Sequence, residues 1–461
     1  MKKSIISLCG LLFFAAQSCD VLDKDPVEFV STEETFANAT EETLQSYCNN
    51  FYPDLLSGHG AFNGYSFGML EGDFQSDNIL PWSPNTVAFS QHPISTKDDQ
   101  WKWEIIRACN AYLEYYELAP VAESIKQHYA GEVLFFKCMD YFNKVRRFGD
   151  VPWYDHILIP GDEDLYKGRD SRTVVMANVL KDINQAIAWL PTKATTGVSR
   201  VSKDAALALK ARMCLFEGTF RRYHNIEGDV EFLQAAYDAA GELMKPEYGY
   251  SLFQGSKPSQ AYHELFIQEN YNSNPEIILS REYDPALGGA NNVSRMIGVG
   301  ETPIGFSRDA IEDYLCAKTG KPVTLCGCEG HTKHTTLVAE LNNRDPRLLQ
   351  TVASPEAGEH SYQLNGKRAG ISSLLPGLYN SSTGYAIAKF FNPAEFSTVH
   401  HQGTLDAPLF RYAEILLIRA EAGAELGLDP ELDKTINALR DRVGFHSSSD
   451  CQSGNRDPEI S

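Results

Sequence analysis

The sequence predicts a mostly α-helical fold: a TPR-like stack of helix pairs with a long irregular, loop-rich region before the last pair. Three observations lead to this prediction. Apolar residues recur at the i, i+3, i+4 spacing of a helix with one buried face, as at Met176, Val179, Leu180, Ile183, Ile187 and Leu190. The helical stretches come in consecutive pairs joined by short turns, which is typical of helical repeats. Residues 246–408 are instead rich in Gly, Pro, Asn and Ser, and long irregular segments of this kind often bind ligands.

Helical periodicity starts near Glu41 and continues to about residue 245. The clearest helices predicted there are Gln100–Leu118, Gly131–Phe148, Val174–Leu190, Lys203–Glu217 and Val230–Met244. Pro191 stops the third of them, and four alanines in the fourth allow a partner helix to approach closely. A final pair, Leu409–Leu426 and Leu432–Arg442, follows the irregular segment. We therefore divide the folded chain into a helical region, 41–245, and a region, 246–461, that holds the irregular ligand-binding segment and the C-terminal helix pair.

The N-terminus has the features of an export signal. Two lysines precede an apolar run, Ile5–Ala16, whose length suits a signal peptide and is too short to cross a bilayer. The run ends in Ala16-Gln17-Ser18-Cys19, which resembles a bacterial lipobox. Residues 1–18 are therefore predicted to be a lipoprotein signal peptide, with Cys19 lipidated; ordinary cleavage near Ser18 is the alternative. Residues 19–40 are predicted to form an extended acidic tether.

Composition narrows the class of partner. The formal net charge of −20 argues against nucleic acid or an anionic membrane as the main partner, because either calls for a basic face. Aromatic residues make up 11% of the chain, which suits stacking on the apolar C–H faces of sugar rings. The sequence contains no nucleophile elbow, metalloprotease helix or phosphate-binding glycine loop, so it predicts no catalytic residues and no enzyme.

Six segments, in this order along the chain, resemble the SusD/RagB family of nutrient-binding outer-membrane lipoproteins from Bacteroidetes. They are WKWEIIRACNAYLE (101–114), GEVLFFKCMDYFNKVRRFGDVPW (131–153), SRVSKDAALALKARMCLFEG (199–218), NNRDPRLLQTV (342–352), FRYAEILLIRAEAGAELG (410–427) and INALRDRVG (436–444). With the lipobox, the resemblance implies one SusD-like unit over residues 41–461, lipid-anchored in the outer membrane and facing the cell exterior. Asp20, Asp23 and Asp25 then resemble the surface-export tag of such lipoproteins.

The resemblance also implies a function. It implies a non-catalytic lipoprotein that binds a nutrient, an oligosaccharide or other glycan, and delivers it to a SusC-like TonB-dependent β-barrel transporter. The helix-pair face would dock the barrel, and the irregular half would hold the ligand. A surface glycoside hydrolase, a binder of peptide or glycoprotein nutrients and a scaffold without a small ligand are the alternatives that the residues leave open.

One departure from the family pattern lies at the C-terminus. Family members continue past the INALRDRVG helix with a glutamate- and arginine-rich helix and a glycine–arginine–aspartate–tryptophan segment. Here the chain turns polar at His446 and ends at Ser461. This predicts a chain truncated or frameshifted near its end, without the last helical packing layer.

The first predicted ligand-binding segment is FQSDNILPWSPN (74–85). Trp82 offers a ring for stacking, while Asp77, Asn78 and Asn85 offer hydrogen-bonding groups for sugar hydroxyls. The position of the segment also suits the ligand-binding loop of the family. The alternative is that Trp82 only packs over the ends of helices.

The second predicted segment is Glu282–Arg308, because family members present ligand-contacting aromatics from the corresponding irregular region. Its candidate residues are Tyr283, Asn291, Asn292, Arg295 and Arg308.

The segment CGCEGHTKH (326–334) leaves three alternatives open: a zinc site, a disulfide from Cys316 to Cys326 or Cys328, or free thiols. The C-x-C and H-x2-H spacings are tighter than those of ordinary zinc sites, and a cell-surface setting favours oxidation. The segment GDEDLYKGRD (161–170) lacks the ligand order of a calcium-binding EF-hand loop. The sequence therefore predicts no metal ligands and no cofactor, with a structural calcium or zinc ion left open. Cys48, Cys109, Cys138 and Cys214 lie in apolar helical patterns and are predicted to act as small buried hydrophobes.

Overall fold

A computed structural model describes residues 32–60, 68–81, 83, 98, 100–299, 304–328, 331, 337–353, 363–364, 367–368, 381–392 and 401–445. The predicted signal peptide, Cys19 and the polar C-terminal segment lie outside these residues. No helix of the described part is both long and apolar enough to cross a membrane.

The first half of the chain is a stack of helices, as predicted. Its helices are α1 Thr32–Ala37, α2 Glu41–Asn49, α3 Phe51–Leu55, α4 Glu104–Tyr115, α5 Glu123–Phe148, α6 Arg172–Trp189, α7 Lys193–Thr196, α8 Lys203–Tyr223 and α9 Asp229–Leu243, with short 3₁₀ turns at Tyr116–Leu118, Glu163–Tyr166 and Pro246–Tyr248. Along the stack, α4 contacts α5, α5 contacts α6, α6 contacts α8, and α8 contacts α9.

Small and aromatic side chains explain why the helices of the stack pack closely. The four alanines predicted to allow close approach, Ala205, Ala206, Ala208 and Ala211, are all fully buried on α8. Helix α5 crosses the centre of the core and is buried over most of its length, with Phe135 and Phe136 fully enclosed. The cysteines at 48, 109, 138 and 214 are buried free thiols in this core, as predicted.

A segment, 19–40, was predicted to be an extended tether. The structure describes residues 32–40 of it, and Thr32–Ala37 are helical. Helix α1, Thr32–Ala37, carries two glutamates in its first turn, which suits the helix dipole. Its Phe36 is only 3% exposed, and its ring meets that of Tyr112 edge-on with centroids 5.3 Å apart. Among the described residues, the packed structure therefore already includes Thr32–Ala37, because one aromatic side chain anchors this helix to α4.

The second half of the chain is largely irregular, as predicted, and contains short helices and two-stranded sheets. Its helices are α10 Pro258–Leu265, α11 Val293–Val299, α12 Arg308–Glu312, α13 Leu337–Leu341, α14 Pro346–Leu349, α15 Tyr412–Glu425 and α16 Ile436–Arg442, with a 3₁₀ turn at Pro285–Leu287. Its strands are β2 Ile277–Arg281, β3 Ile304–Phe306, β4 Gln363–Leu364, β5 Lys367–Arg368 and β6 Ala407–Arg411, and one further strand, β1 Ile79–Pro81, comes from the first half, before α4. They pair antiparallel as β1–β3, β2–β6 and β4–β5.

Two features join the halves. Helix α15 packs on α9 and α8, so the C-terminal pair extends the helical stack. Strands β2 and β6 lie against the same core, to which Ile278, Leu279 and Phe410 contribute buried side chains. The irregular half is therefore fixed to the stack through its own first and last strands.

Arginine–glutamate pairs strengthen this junction, but they cross between elements. Sequence spacing alone favours pairs of Arg411 with Glu414 and of Arg419 with Glu421 along one helix face. In the structure Arg411 pairs with Glu276, and Glu414 pairs with Arg212 of α8. Arg419 likewise pairs with Glu431, beyond the end of α15. The helix-face expectation was wrong because these side chains lie between packed elements, where partners from other helices are nearer.

Candidate functional site

A small sheet brings the two predicted ligand-binding segments together. Strand β1, which follows Asp77 and Asn78, pairs with β3 so that Ile79 faces Phe306. The next amide, Ser307 N–H, donates to the carbonyl of Asn78 at 2.8 Å, and the Ser307 hydroxyl caps the start of α12. The loop before β1 and the turn after β3 thus form one wall, although Asn78 and Ser307 lie 229 positions apart in the chain.

A cavity of about 460 Å³ lies beside this sheet, within the range of small-molecule sites. One side comes from the 3₁₀ segment Gly68–Gln75 and β1, and another from β3 and α12. The rest comes from α10 and from the turn that carries Lys389 and Phe390. Its lining includes Met69, Asp73, Asn78, Tyr262, Phe266, Phe306, Asp313, Tyr314, Thr351, Ile387, Lys389, Phe390 and Arg411.

The cavity combines aromatic rings with a central cation. Lys389 Nζ lies 4.0 Å from the ring centroid of Phe266 and 5.3 Å from that of Tyr262. It also donates to the Tyr262 hydroxyl at 3.4 Å. Lys389 is held in place because its backbone N–H, like that of Ala388, donates to the carbonyl of Thr351. The arrangement offers flat apolar surfaces next to fixed charged and hydrogen-bonding groups.

The charges around Tyr262 change its acidity. Burial raises the pKa of the Tyr262 phenol, but Lys389, Arg411 and Arg442 together lower the pKa further, to about 8. Burial raises the pKa of Asp73, and Lys389 acts against that shift. Near neutral pH the cavity therefore contains a phenol close to its ionisation point beside a fixed cation.

This acidity leads to a prediction about titration. Near-ultraviolet absorbance should show one tyrosine ionising near pH 8, below the ordinary tyrosine pKa of about 10. Tyr262→Phe should remove that step, and Lys389→Met should move it to higher pH by removing a neighbouring positive charge. The folded pKa is depressed, so the stability that Tyr262 contributes should increase as pH rises from 8 to 10 and be lost as pH falls through 8.

The matched control for this titration is Tyr166→Phe. Tyr166 is 86% exposed, does not line the cavity and lies far from Tyr262 in the sequence, in the 3₁₀ turn Glu163–Tyr166. This variant should leave the step near pH 8 in place. A wild-type titration without any step below pH 9 would contradict the geometry around Lys389.

The first predicted segment lies only partly within the described residues. Asn78 and Asp77 are both exposed, but only Asn78 is among the residues that line the cavity. Trp82 and Asn85 lie outside the described residues, so their predicted roles stay predictions. Trp82 directly follows β1, whose other end is at the cavity.

Three side chains of the second segment are buried and bond to the backbone of the chain instead of lining the cavity. Tyr283 is 6% exposed, and its hydroxyl accepts the backbone N–H of His59 at 2.6 Å. Asn292 is 5% exposed, and its Oδ1 accepts the backbone N–H of His401 at 2.6 Å. Neighbouring Asn291 is fully buried and donates to the carbonyl of Leu405 at 3.0 Å. These side chains bind neighbouring loops of the chain and do not line the cavity, and their predicted ligand contacts stay predictions.

The two arginines of that segment differ in exposure. Arg295 is partly buried on α11, whereas Arg308 is more than half exposed at the start of α12. Arg308 Nε lies 2.6 Å from Glu312 Oε1, one helical turn further on. Neither arginine is among the residues lining the cavity. Their predicted ligand contacts stay predictions.

The strongest chemical features of the cavity were not predicted. Tyr262 lies on α10, whereas Tyr314 and Lys389 lie on two separate turns, and the three meet only in the folded chain. The available signal was weak: Lys389 lies in the short run AIAKFF, where a charged residue stands between apolar neighbours on a predicted β-like stretch. A charged side chain in such a position is either exposed to solvent or buried with a partner.

A second cavity, of about 570 Å³, lies in the helical half between α4 and the segment that follows α5. Trp101, Trp103 and Tyr154 line it. The Trp103 ring meets those of Trp101 and Tyr154 edge-on, with centroids 5.3 and 5.5 Å away. These rings pack on one another, and no described residue of the two predicted ligand-binding segments is among those that line this cavity.

Comparison with known proteins gives consistent matches to one family over both halves. The sequence model described as "SusD family" matches residues 239–458, and the one described as "Starch-binding associating with outer membrane" matches residues 20–215. The chain is 22% identical over 463 residues to SusD-like protein P38 of Formosa agariphila, covering 96% of this chain and 82% of that protein.

Solved structures give the same fold. A SusD-like carbohydrate-binding protein of Bacteroides fragilis superposes with a TM-score of 0.71 at 21% identity, covering 89% of this chain and 79% of that one. A second SusD-like protein of Bacteroides fragilis gives a TM-score of 0.69 at 23% identity, covering 91% and 82%. A laminarin-binding SusD-like protein gives a TM-score of 0.62 at 21% identity, covering 89% and 85%.

Proposed function

The chain belongs to the SusD/RagB family, and on that premise we propose that it binds a glycan in the cavity beside the β1–β3 sheet. Sugar rings present an apolar C–H face together with a rim of hydroxyls. The cavity offers the rings of Phe306 and Tyr314 for the first, and Asn78, Asp73 and Lys389 for the second. This pairing of aromatic and polar groups in one concave surface is the observation that carries the proposal.

The relatives support the ligand class. One structural relative is named as laminarin-binding and another as carbohydrate-binding. A family model that matches this chain is described as starch-binding and associated with the outer membrane. We propose accordingly that the chain is anchored through Cys19 on the outer surface and passes its glycan to a SusC-like TonB-dependent transporter.

A hydrolase remains the competing function. A glycoside hydrolase holds two carboxylates roughly 5–10 Å apart across its cleft. Asp73 and Asp313 both line this cavity, so the competing function has specific residues to test. Incubation with each bound glycan should release no new reducing ends. Release that Asp73→Asn or Asp313→Asn abolishes would establish the hydrolase instead.

The binding test compares two neighbouring residues. A glycan array should identify an oligosaccharide that binds the wild-type chain, and calorimetry should then measure its affinity. Asn78→Ala should weaken binding by roughly three- to tenfold, as expected for the loss of one hydrogen bond of about 0.5–1.5 kcal/mol net. Asp77→Ala, one residue away and outside the cavity, should change the affinity less than twofold.

The outcomes separate the ligand class from the site. No binding of wild type to any glycan would reject the glycan proposal, and a peptide or glycoprotein screen would follow. Undiminished binding by Asn78→Ala, or equal losses in both variants, would reject this cavity while leaving glycan binding standing. A large loss in Trp103→Ala alone would place the ligand in the cavity of the helical half.

A further inference from the structure

Three cysteines and one histidine converge behind the cavity wall. Cys316 lies on the segment after α12, Cys326 and Cys328 lie on the following turn, and His331 comes next along the chain. One ligand atom from each residue, a thiol Sγ or an imidazole nitrogen, lies within 4.8 Å of all the others. Cys316 is fully buried and His331 is 4% exposed, whereas Cys326 and Cys328 are partly exposed.

The separations fit a tetrahedral metal centre. Metal–sulfur bonds of about 2.3 Å give S···S edges of about 3.8 Å, and with a metal–nitrogen bond of about 2.0–2.1 Å the S···N edge is about 3.6 Å. Cys316 Sγ and Cys328 Sγ lie 3.7 Å apart. Cys326 Sγ and His331 Nδ1 lie 3.3 Å apart. The four groups are thus already close to the spacing that a central ion requires.

The histidine is oriented as a ligand. Its Nε2 lies 2.9 Å from the backbone carbonyl of Asn342, which can only accept a hydrogen bond. The proton therefore resides on Nε2, and Nδ1 is left with a free lone pair facing Cys326 Sγ. A ligating histidine that donates its other N–H to a carbonyl is the usual arrangement around bound zinc.

We propose that Cys316, Cys326, Cys328 and His331 form a structural zinc site. Three thiolates and one imidazole are a donor set typical of structural zinc, and four protein ligands leave no open position for catalysis. The proposal reverses the sequence-based prediction of no metal. That prediction relied on the tight C-x-C spacing of the loop and did not include Cys316, whose thiol completes the set.

The site would fix the outer wall of the cavity. Tyr314 lines the cavity and lies two residues before Cys316. Its carbonyl accepts from Arg344 Nε at 2.9 Å, and Cys316 pairs with the same arginine in an isolated β-bridge. His331 connects the turn to Asn342, just after α13. A metal ion would therefore join the turn, α13 and the Tyr314 segment into one rigid unit.

A disulfide between Cys316 and Cys328 is the competing chemistry. The two sulfurs would have to close from 3.7 Å to about 2.05 Å, which would leave Cys326 and His331 facing each other without a shared partner. The disulfide requires an oxidant and removes two thiol hydrogens, whereas metal binding keeps all three sulfurs reduced. Intact mass and metal content therefore distinguish the two states.

The test uses the whole mature chain, purified with a phosphine reductant and saturated with zinc. Elemental analysis should find about one zinc ion per chain after removal of free metal. Cobalt should give the visible d–d bands and the thiolate charge-transfer band of a tetrahedral sulfur-rich site. Cys326→Ser and His331→Ala should each lower zinc occupancy to about a tenth or less.

Cys214→Ala is the matched control, because it removes a buried cysteine from α8 and should leave the zinc content unchanged. The cobalt spectrum of wild type decides the proposal even if a variant fails to fold. Zinc-replete wild type without bound metal would overturn it. So would a tetrahedral cobalt spectrum that persists in both ligand variants, or a mapped Cys316–Cys328 disulfide in chain isolated from cells without reductant.

Discussion

Glu276→Gln should destabilise the folded chain by about 3–5 kcal/mol, because it leaves the buried Arg442 and the partly buried Arg411 without their shared carboxylate. Glu276 is fully buried at the start of β2. Its Oε1 lies 2.8 Å from Arg411 Nη1, and its Oε2 lies 2.9 Å from Arg442 Nη1. The same Oε2 accepts the backbone N–H of Phe253 at 2.9 Å. The amide can keep part of this hydrogen bonding, but it cannot neutralise the guanidinium groups.

The effect should be large because three parts of the chain meet at this carboxylate. Glu276 precedes β2, Arg411 ends β6, and Arg442 ends α16. The Arg442 side chain is only 2% exposed, so water cannot replace the lost partner without local opening. Loss of the charge should therefore loosen the attachment of the irregular half and the C-terminal helix together.

Urea unfolding followed by circular dichroism measures this effect. Glu414→Gln is the control: its partner Arg212 is 37% exposed at the side chain, so the loss should be about 1 kcal/mol or less. Arg442→Met in the Glu276→Gln background should cost less than the sum of the single changes, because it removes the unpaired charge. Equal losses for Glu276→Gln and Glu414→Gln would contradict the role assigned to burial.

The helical half of the fold was predictable from local pattern. One buried face of α6 repeats at the helical spacing, and the alanines of α8 indicate close packing before any partner is known. Helix α1 was missed because six residues carry too little periodicity to be recognised. Its position depends on the contact of Phe36 with Tyr112, more than seventy residues away in the sequence.

The site was predictable only in part, for the same reason. Position within the family pattern identified the segments that contain Asn78 and Arg308, and the β1–β3 sheet brings those segments together. It did not identify Lys389 beside Tyr262, because 127 residues separate them and only the folded chain brings them within hydrogen-bonding distance. Nor could the sequence show that Tyr283 and Asn292 bond to backbone groups of their own chain, because their partners His59 and His401 are more than 100 residues away.

Gly68→Ala should weaken ligand binding at the cavity by about tenfold or more, the equivalent of about 1.4 kcal/mol, and should also destabilise the fold by about 1–3 kcal/mol. Gly68 begins the 3₁₀ segment that supplies Met69, Leu70 and Asp73 to the cavity. Its φ of +59° lies in the left-handed region that disfavours a side chain. An added Cβ would also lie 2.0 Å from the carbonyl oxygen of Gly58, a backbone atom that cannot rotate away.

The segment must therefore shift, and the shift should break the 2.7 Å hydrogen bond from Met69 N–H to the Gly58 carbonyl. Gly72→Ala is a matched control in the same 3₁₀ segment, since an added Cβ there meets no atom within 4 Å. Calorimetry with the oligosaccharide selected on the array should show the loss in the first variant and near wild-type affinity in the second. Thermal melting should likewise give a lower Tm for Gly68→Ala and a Tm near that of wild type for Gly72→Ala. If both bind as wild type does while only Gly68→Ala melts lower, the segment supports the fold without shaping the ligand site. If both variants lose binding, the segment must change conformation when the ligand binds. In the conformation described here, a methyl group at Gly72 meets no other atom and should not disturb the site.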